Sequence, residues 1–230
     1  MSTKETKGGG NLIKTSPLSG IYRNHAVKLT EFSGWQIADN FGNAERELIH
    51  LSQKSVLADW SHIGKISLSG SDAAKAAEQT ITGASKIEPL RSISNQNMAA
   101  LRLTRNDYLI LCQSGMETDL LEKIDHKITT VIDQTGAQGC LVLGGPRRDE
   151  VLQRSTAMDL RRDRVIAGSV IQSSIHTVSM TLFRTKHFDI IIHPRNLSES
   201  LYDALMDVGI GVGLVPCGIS TVPVSFEEGK

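Results

Sequence analysis

The carboxylate of Asp189 is the strongest candidate for chemistry in this sequence. It lies in the apolar stretch 186–192, where the two-residue period of a strand places Ile191 on its own face and Phe188 and Ile190 on the other. A carboxylate on an otherwise apolar strand needs hydrogen-bond donors. Two partners are open: an arginine of the same chain, or a ligand with adjacent N–H groups such as the edge of a pterin, which a carboxylate accepts in bidentate fashion.

The other histidine, cysteine and glycine patterns point to no metal site and to no catalytic residue. Asp189 and His193 share a strand face but are separated by roughly 13 Å, which is too far for one metal ion. Three widely spaced cysteines without a CxxC pair disfavour a disulfide framework or a cysteine zinc site, and they favour a cytoplasmic location. The glycines of 209–213 follow a predicted helix and precede a strand, the reverse of a dinucleotide-binding fingerprint.

A second feature is a concentration of positive charge between residues 147 and 164. Six arginines lie there: Arg147, Arg148, Arg154, Arg161, Arg162 and Arg164. Four acidic residues in the same stretch offset four of these charges, and no aromatic residue between Tyr108 and Phe183 offers a stacking platform for bases. The stretch is therefore interpreted as a solvated face or a protein interface, with an anionic ligand tail as the alternative.

Composition narrows the class of partner. The chain has 230 residues, of which 40% are hydrophobic, and 25 basic residues balance 25 acidic ones. A balanced charge gives no general attraction to nucleic acid or to a membrane surface, and no apolar run reaches the roughly 18 residues of a membrane span. We expect no nucleic-acid partner and no membrane partner.

The elements that position these residues occur in two similar passes. Before them, Asn43 is predicted to cap a helix with Leu48, Leu51 and Leu57 on its apolar side. Pseudo-repeats at about 65–133 and 139–215 then each give the order β-α-β-β-α-β, which is the ferredoxin-like split βαβ unit. Two such units in tandem predict an α+β fold. Residues 1–15 are expected to be a mobile tail, 16–222 the folded domain and 223–230 a C-terminal tail.

Several segments, taken in order, resemble the glycine-cleavage T-protein (aminomethyltransferase) family. They are Ser16-Pro17-Leu18, Phe32-Ser-Gly-Trp35, Asp59-Trp-Ser-His-Ile-Gly-Lys-Ile-Ser-Leu-Ser-Gly70 and Leu141-Val-Leu-Gly-Gly-Pro146. Residues 139–205, with Ala157-Met-Asp-Leu160, are also similar to the gamma subunit of heterotetrameric sarcosine oxidase. The resemblance implies a T-protein-like folate-binding fold without the family's C-terminal barrel domain, and a role in one-carbon or methylamine metabolism.

The resemblance also implies a cofactor, tetrahydrofolate, and three residues that would bind it. Ile63 stands where the family places an apolar residue against the pterin, and Gln113 stands where an asparagine follows the hairpin's second strand. Asp189 stands where a glutamate receives the pterin edge, although aspartate is shorter by one methylene.

Departures from the family leave two functions open. The aspartate that the family carries on its hairpin is not matched, since Asp107 lies in the turn. The first hypothesis is an accessory, non-catalytic subunit that assembles with a larger flavin-containing amine oxidase, with another one-carbon enzyme or with itself. The second is a minimal tetrahydrofolate-dependent aminomethyl- or methyltransferase whose site is completed by a partner chain. Whether the chain is an enzyme stays open.

Overall fold

The computed structural model describes residues 12–25, 27–127, 129–161 and 163–227, and these form a mixed α+β structure. The helices are Ser19–Asn24 (α1), Ala44–Gln53 (α2), Ala73–Thr80 (α3), Glu117–Lys123 (α4), Arg148–Ser155 (α5) and Ser198–Gly209 (α6). No helix within these described ranges has the length and apolar character needed to cross a membrane.

The strands form three sheets. They are Lys14–Thr15 (β1), Lys28–Phe32 (β2), Trp35–Asn40 (β3), Ser55–Asp59 (β4), Gly64–Ser69 (β5), Arg91–Ser94 (β6), Met98–Arg102 (β7), Asp107–Cys112 (β8), Thr130–Asp133 (β9), Gln138–Gly144 (β10), Val170–Ile175 (β11), Val178–Arg184 (β12), Phe188–Pro194 (β13) and Leu214–Cys217 (β14). The strand orders are β1-β3-β2, β11-β12-β13-β10-β4-β14 and β6-β7-β8-β5-β9.

The α+β class is confirmed, and the elements of both halves follow the predicted sequence. The first half runs β5-α3-β7-β8-α4-β9 with β6 added before β7, and the second runs β10-α5-β12-β13-α6-β14 with β11 added before β12. The sequence also predicts a strand over Ile128–Asp133, which begins at Thr130 among the described residues, while Ile128 itself lies outside them.

One interpretation near the start of the chain is wrong. The Asn43 cap is present, because its side chain accepts from the backbone N–H of Arg46 at 2.9 Å. Leu57, however, belongs to β4 rather than to the helix, and Leu48 is half exposed. The charged Glu47 is instead the buried residue of α2, and its carboxylate accepts from the backbone N–H groups of Phe41 and Gly218.

β4 occupies a position in the six-stranded sheet that the pattern of repeats does not predict. It pairs antiparallel with β10, through Leu143 and Leu57, and parallel with β14, through Leu214 and Ser55. A strand from before the first repeat therefore lies between the first and last strands of the second. This arrangement places the segment before the first repeat in the sheet of the second half.

The core lies in three layers of apolar side chains. One cluster lies between the six-stranded sheet and helices α5 and α6, and another lies beneath α3 and α4. The third contains residues from both large sheets, such as Val142 and Ile190 from one and Leu101 and Leu111 from the other. The two large sheets therefore pack face to face across this third cluster.

Trp60 is the centre of the cluster between the sheets. Its side chain is completely buried, and its indole N–H donates to the carbonyl of Val222 at 3.0 Å. The ring of Phe226 meets it edge to face at 6.1 Å and is also completely buried. The proposed domain boundaries stay predictions; among the described residues outside 16–222, β1 pairs with β3 and Phe226 is buried.

Replacing Phe226 by alanine is expected to lower the free energy of unfolding by about 3 kcal/mol, because a buried ring beside Trp60 is exchanged for a cavity. Denaturant unfolding followed by circular dichroism measures this loss. Ile210→Ala, at a side chain that is 73% exposed, is the control and should cost less than about 0.5 kcal/mol. An equally small loss for Phe226→Ala would mean that the segment after Val222 adds nothing to the core.

Candidate functional site

Asp189 is held between two arginine side chains in the interior. Its Oδ1 accepts from Nε of Arg184 at 2.6 Å, and its Oδ2 accepts from Nε of Arg148 at 3.0 Å and from Nη2 of Arg184 at 3.2 Å. The carboxylate is 0% exposed, and both arginines are buried as well. Of the two partners that the sequence left open, the structure contains the arginines.

The strands and one helix bring these three charges together. Arg184 is the residue opposite Asp189 across the β12–β13 pair, and Arg148 opens α5, the helix that follows β10. Nη1 of Arg184 also donates to the carbonyl of Leu160 at 2.6 Å, and its Nη2 donates to Asp149 at 3.1 Å. Burial raises the pKa of Asp189, while the hydrogen bonds and charges of the arginines act in the opposite direction.

The arginine-rich stretch is thus divided between interior and surface. Arg148 is 4% exposed, so for this residue the interpretation as a solvated face is wrong. Arg147 and Arg161 follow that interpretation, since each forms a partly or fully exposed pair with a neighbouring carboxylate, Glu150 and Asp159 respectively. Arg162 lies outside the described residues.

Of the three residues predicted to bind folate, the structure brings two together. Ile63 ends the loop between β4 and β5, and Gln113 follows β8, so that the register of Gly64 opposite Cys112 makes them neighbours. Ile63 is 0% exposed, and Nε2 of Gln113 donates to the carbonyl of Val224 at 3.3 Å.

Asp189 lies on a different face. Ile190 belongs to the cluster between the two large sheets, which also contains Ile63. Ile191 belongs to the cluster between the six-stranded sheet and helices α5 and α6. Strand alternation puts Asp189 with Ile191, and its contact with α5 agrees with this position. The sheet therefore separates Asp189 from Ile63, and binding of folate to these residues stays a prediction.

Sequence reasoning missed a group of polar side chains around the same β4–β5 loop. Lys65 is completely buried and donates from Nζ to the carbonyls of Ser61 and Ile63 at 3.0 and 2.7 Å. Burial lowers the pKa of Lys65. Asp59 accepts from the hydroxyls of Ser16 and Tyr22, and burial together with this carboxylate raises the pKa of Tyr22.

His62 is the member of this group whose ring nitrogens lack hydrogen-bond partners among the described residues. It is 1% exposed, and neither ring nitrogen has a hydrogen-bond partner in the part of the chain that the structure describes. The ring of Phe32 approaches it edge to face at 5.8 Å. Burial lowers the pKa of His62 to about 4, so the ring is neutral at pH 7. The segment 59–70 was recognisable in the sequence, but no pattern there indicates a buried histidine.

The remaining candidates show structural roles. Ring nitrogens of His193 contact the hydroxyl of Ser198 at 2.9 Å and the carbonyl of Ile191 at 3.2 Å. Burial raises the pKa of both Cys112 and Cys140 to about 12, which makes them poor nucleophiles at neutral pH. Within the described ranges, no group of three or more histidine, cysteine and carboxylate side chains is placed to hold a metal ion.

Comparison with known proteins identifies the family. The "GCVT N-terminal domain" family matches residues 18–229, and the chain belongs to this family. The aminomethyltransferase of Streptomyces avermitilis is 24% identical over 230 residues, covering 91% of this chain and 61% of that protein. An aminomethyltransferase of Clostridium botulinum is 25% identical, with coverages of 90% and 61%. The chain thus spans about three fifths of the length of these relatives.

Two solved structures share the fold. Aminomethyltransferase T of the glycine cleavage system from Bartonella henselae matches with a TM-score of 0.77 at 17% identity, over 91% of this chain and 60% of that one. A chain of heterotetrameric sarcosine oxidase from Corynebacterium sp. U-96 matches with a TM-score of 0.61 at 18% identity, over 75% of this chain and 93% of that one. Both resemblances stated from the sequence are confirmed at the level of family and fold.

Replacing Asp189 by asparagine is expected to destabilise the protein by about 3 to 5 kcal/mol, because the carboxylate that pairs with two buried guanidinium groups is removed from the interior. Denaturant unfolding at pH 7 measures this change. Asp159→Asn, which removes a carboxylate 48% exposed and paired with Arg161, is the matched control and should cost less than about 1 kcal/mol. Equal effects of the two substitutions would contradict the interior ion cluster.

The free energy of unfolding is expected to decrease as the pH is lowered from about 6.5 to about 4. The reason is that His62 binds a proton more readily in the unfolded chain than in the folded protein. A shift of this size corresponds to a loss of at most about 3 kcal/mol. Denaturant unfolding at several pH values measures it. His62→Phe should flatten the dependence, leaving the smaller contribution of His193, whose pKa burial also lowers. An unchanged slope in His62→Phe would refute the assignment.

Proposed function

We propose that this protein is an accessory, non-catalytic subunit with a T-protein-like fold that works in one-carbon or methylamine metabolism. The observation that carries the proposal is the state of Asp189, whose two oxygens are taken by Arg148 and Arg184. A pterin edge needs those same oxygens as acceptors. The residues present therefore do not fit tetrahydrofolate at Asp189.

A second feature supports a non-catalytic role. The hairpin that joins β7 and β8 has Asp107 as its only carboxylate, and Oδ2 of Asp107 accepts from the hydroxyl of Thr104 at 2.5 Å within the turn. This carboxylate serves the turn itself. A transferase that acts on a bound amine needs a positioned acid or base, which typically contributes 10²- to 10⁴-fold to the rate.

The likeness to a chain of sarcosine oxidase supports the proposal of a partner. The match covers 93% of a chain from an assembly that is described as a heterotetramer. By analogy, the proposed partner is a larger flavin-containing amine oxidase in the cytoplasm. Assembly with another one-carbon enzyme or with a second copy of this chain is the alternative.

The strand order β7-β8-β5-β9 supports the proposed ferredoxin-like unit in the first half.

One observation favours a second function, a minimal tetrahydrofolate-dependent aminomethyl- or methyltransferase. The family match extends over residues 18–229, and Ile63 and Gln113 are neighbours at the end of the β5–β8 pair. A partner chain would then have to supply the missing acid–base group and the acceptor for the pterin edge.

Calorimetric titration with tetrahydrofolate distinguishes the two functions. The accessory role predicts no saturable heat up to about 1 mM ligand. Binding in the micromolar range that Gln113→Ala weakens about tenfold, and that the control Gln172→Ala leaves unchanged, would support the transferase instead. Both glutamines are partly or fully exposed, so neither substitution is expected to unfold the protein.

Purification of the tagged chain from its native cells tests the partner. The expected product is a complex with flavin absorbance near 450 nm that oxidises sarcosine or dimethylglycine. Omission of the tag is the control for nonspecific recovery. A colourless protein that elutes alone or as a homo-oligomer, with no amine oxidase activity, would contradict assembly with a flavoprotein.

A further inference from the structure

A cavity of about 440 Å³ lies beside the small N-terminal sheet, at the turn that connects the two halves of the chain. Lys14 and Thr15 of β1 and Trp35 of β3 line it, together with Thr135 of the turn and Arg195 of the segment after β13. None of these residues belongs to the Asp189 cluster or to the β4–β5 loop, so the cavity is independent of the function proposed above.

Two positive side chains are fixed over the same aromatic ring in this cavity. Nζ of Lys14 lies 5.4 Å from the centre of the Trp35 ring, and the guanidinium carbon of Arg195 lies 5.7 Å from it. Trp35 is 4% exposed, so the ring itself is a rigid support. Cation–π attraction lets like charges share one site at a reduced cost of repulsion.

Hydrogen bonds hold Arg195 in place, but one of its terminal nitrogens has no hydrogen-bond acceptor among the described residues. Its Nη2 donates to the carbonyl of Thr15 at 2.6 Å, and its backbone N–H donates to the carbonyl of Ala137 at 3.0 Å. Its Nη1 is buried and has no hydrogen-bond partner within the described part of the chain. A charged donor left in this state costs free energy unless an acceptor arrives.

The negative charges nearby leave the cavity with an excess of positive charge. Asp133 is the carboxylate on its wall, and Oδ1 of Asp133 already accepts from the backbone N–H of Thr135 at 2.8 Å. Neither Lys14 nor Arg195 forms an ion pair among the described residues. Arg195 also lines a neighbouring cavity of about 580 Å³, but Glu199 lies there and Lys14 does not. An anion is therefore favoured on the Lys14 side.

We propose that this cavity binds a carboxylate group between the guanidinium of Arg195 and the ammonium of Lys14. The contact with Thr15 uses one of the five N–H groups of Arg195, and Lys14 supplies a second cation over the same ring. Two donors suit the two oxygens of a carboxylate. The group belongs either to a free small carboxylate or to an acidic side chain of another protein.

Calorimetric titration at low ionic strength tests the site with two probes. One is succinate, and the other is a short peptide with a central glutamate and blocked ends. Saturable binding of either supports the site, and the probe that binds identifies the source of the carboxylate. Binding should weaken as salt is added, because partly exposed charges are screened.

Lys14→Gln is the informative variant, because Lys14 is exposed and its replacement should not unfold the protein. It should weaken binding about tenfold. Lys28→Gln removes the same charge from an exposed lysine of the same sheet, outside the cavity, and should leave binding unchanged. Arg195→Gln, with its fold checked by circular dichroism, should also weaken binding.

Two results would overturn the proposal. One is the absence of saturable binding of either probe up to about 50 mM, a concentration at which even a weak charge-assisted contact is occupied. The other is binding that Lys14→Gln and Lys28→Gln weaken equally, since this would reflect net charge rather than a site. Neither result bears on folate binding or on the flavoprotein partner, whose tests use other ligands and other residues.

Discussion

The pairing of one buried carboxylate with two buried guanidinium groups is the constraint on which the second half of this fold depends. Asp189 and Arg184 lie on paired strands, and Arg148 comes from the helix that covers them. Arg184 further holds the carbonyls of Leu160 and Val165, in the irregular segment between α5 and β11. The cluster therefore sets the position of a helix, a hairpin and a connecting segment at once. Removal of Asp189 takes a carboxylate away from both guanidinium groups in a low-dielectric interior.

Sequence periodicity predicted the order of elements well, because each repeat carries its own strand alternation and helix spacing. It failed at Leu57 because a short apolar run after a helix is equally consistent with a further helical turn. The deciding interaction is not local: β4 pairs with β10 and β14, more than eighty residues further along the chain. Buried Glu47 is a similar case, since its hydrogen-bond donors include Gly218 and Thr221. Such long-range partners leave no local pattern.

The candidate site was predictable to the extent that it follows from strand geometry. Alternation placed Asp189 on an interior face and required a donor, and both expectations agree with the structure. The choice of donor was not predictable, because Arg148 lies forty-one residues away and adjoins five other arginines in the sequence. The burial of His62 was not predictable from the sequence for another reason. A lone histidine in a loop carries no periodic signal, and its burial results from the close approach of β2 and of the sheet-to-sheet core.

The distinction between an accessory subunit and a transferase reduces to a competition for the oxygens of Asp189. A pterin edge would offer neutral N–H donors, whereas the present partners are charged. Its entry would require at least one guanidinium to leave the carboxylate and to find another counter-charge. Arg184 also donates to Asp149 at 3.1 Å, and Arg148 also donates to the carbonyls of Lys186 and Thr185 at 3.0 and 3.5 Å. Displacing Arg148 from Asp189 would break a buried ion pair, and neutral donors on a ligand do not repay the loss of that charge–charge attraction.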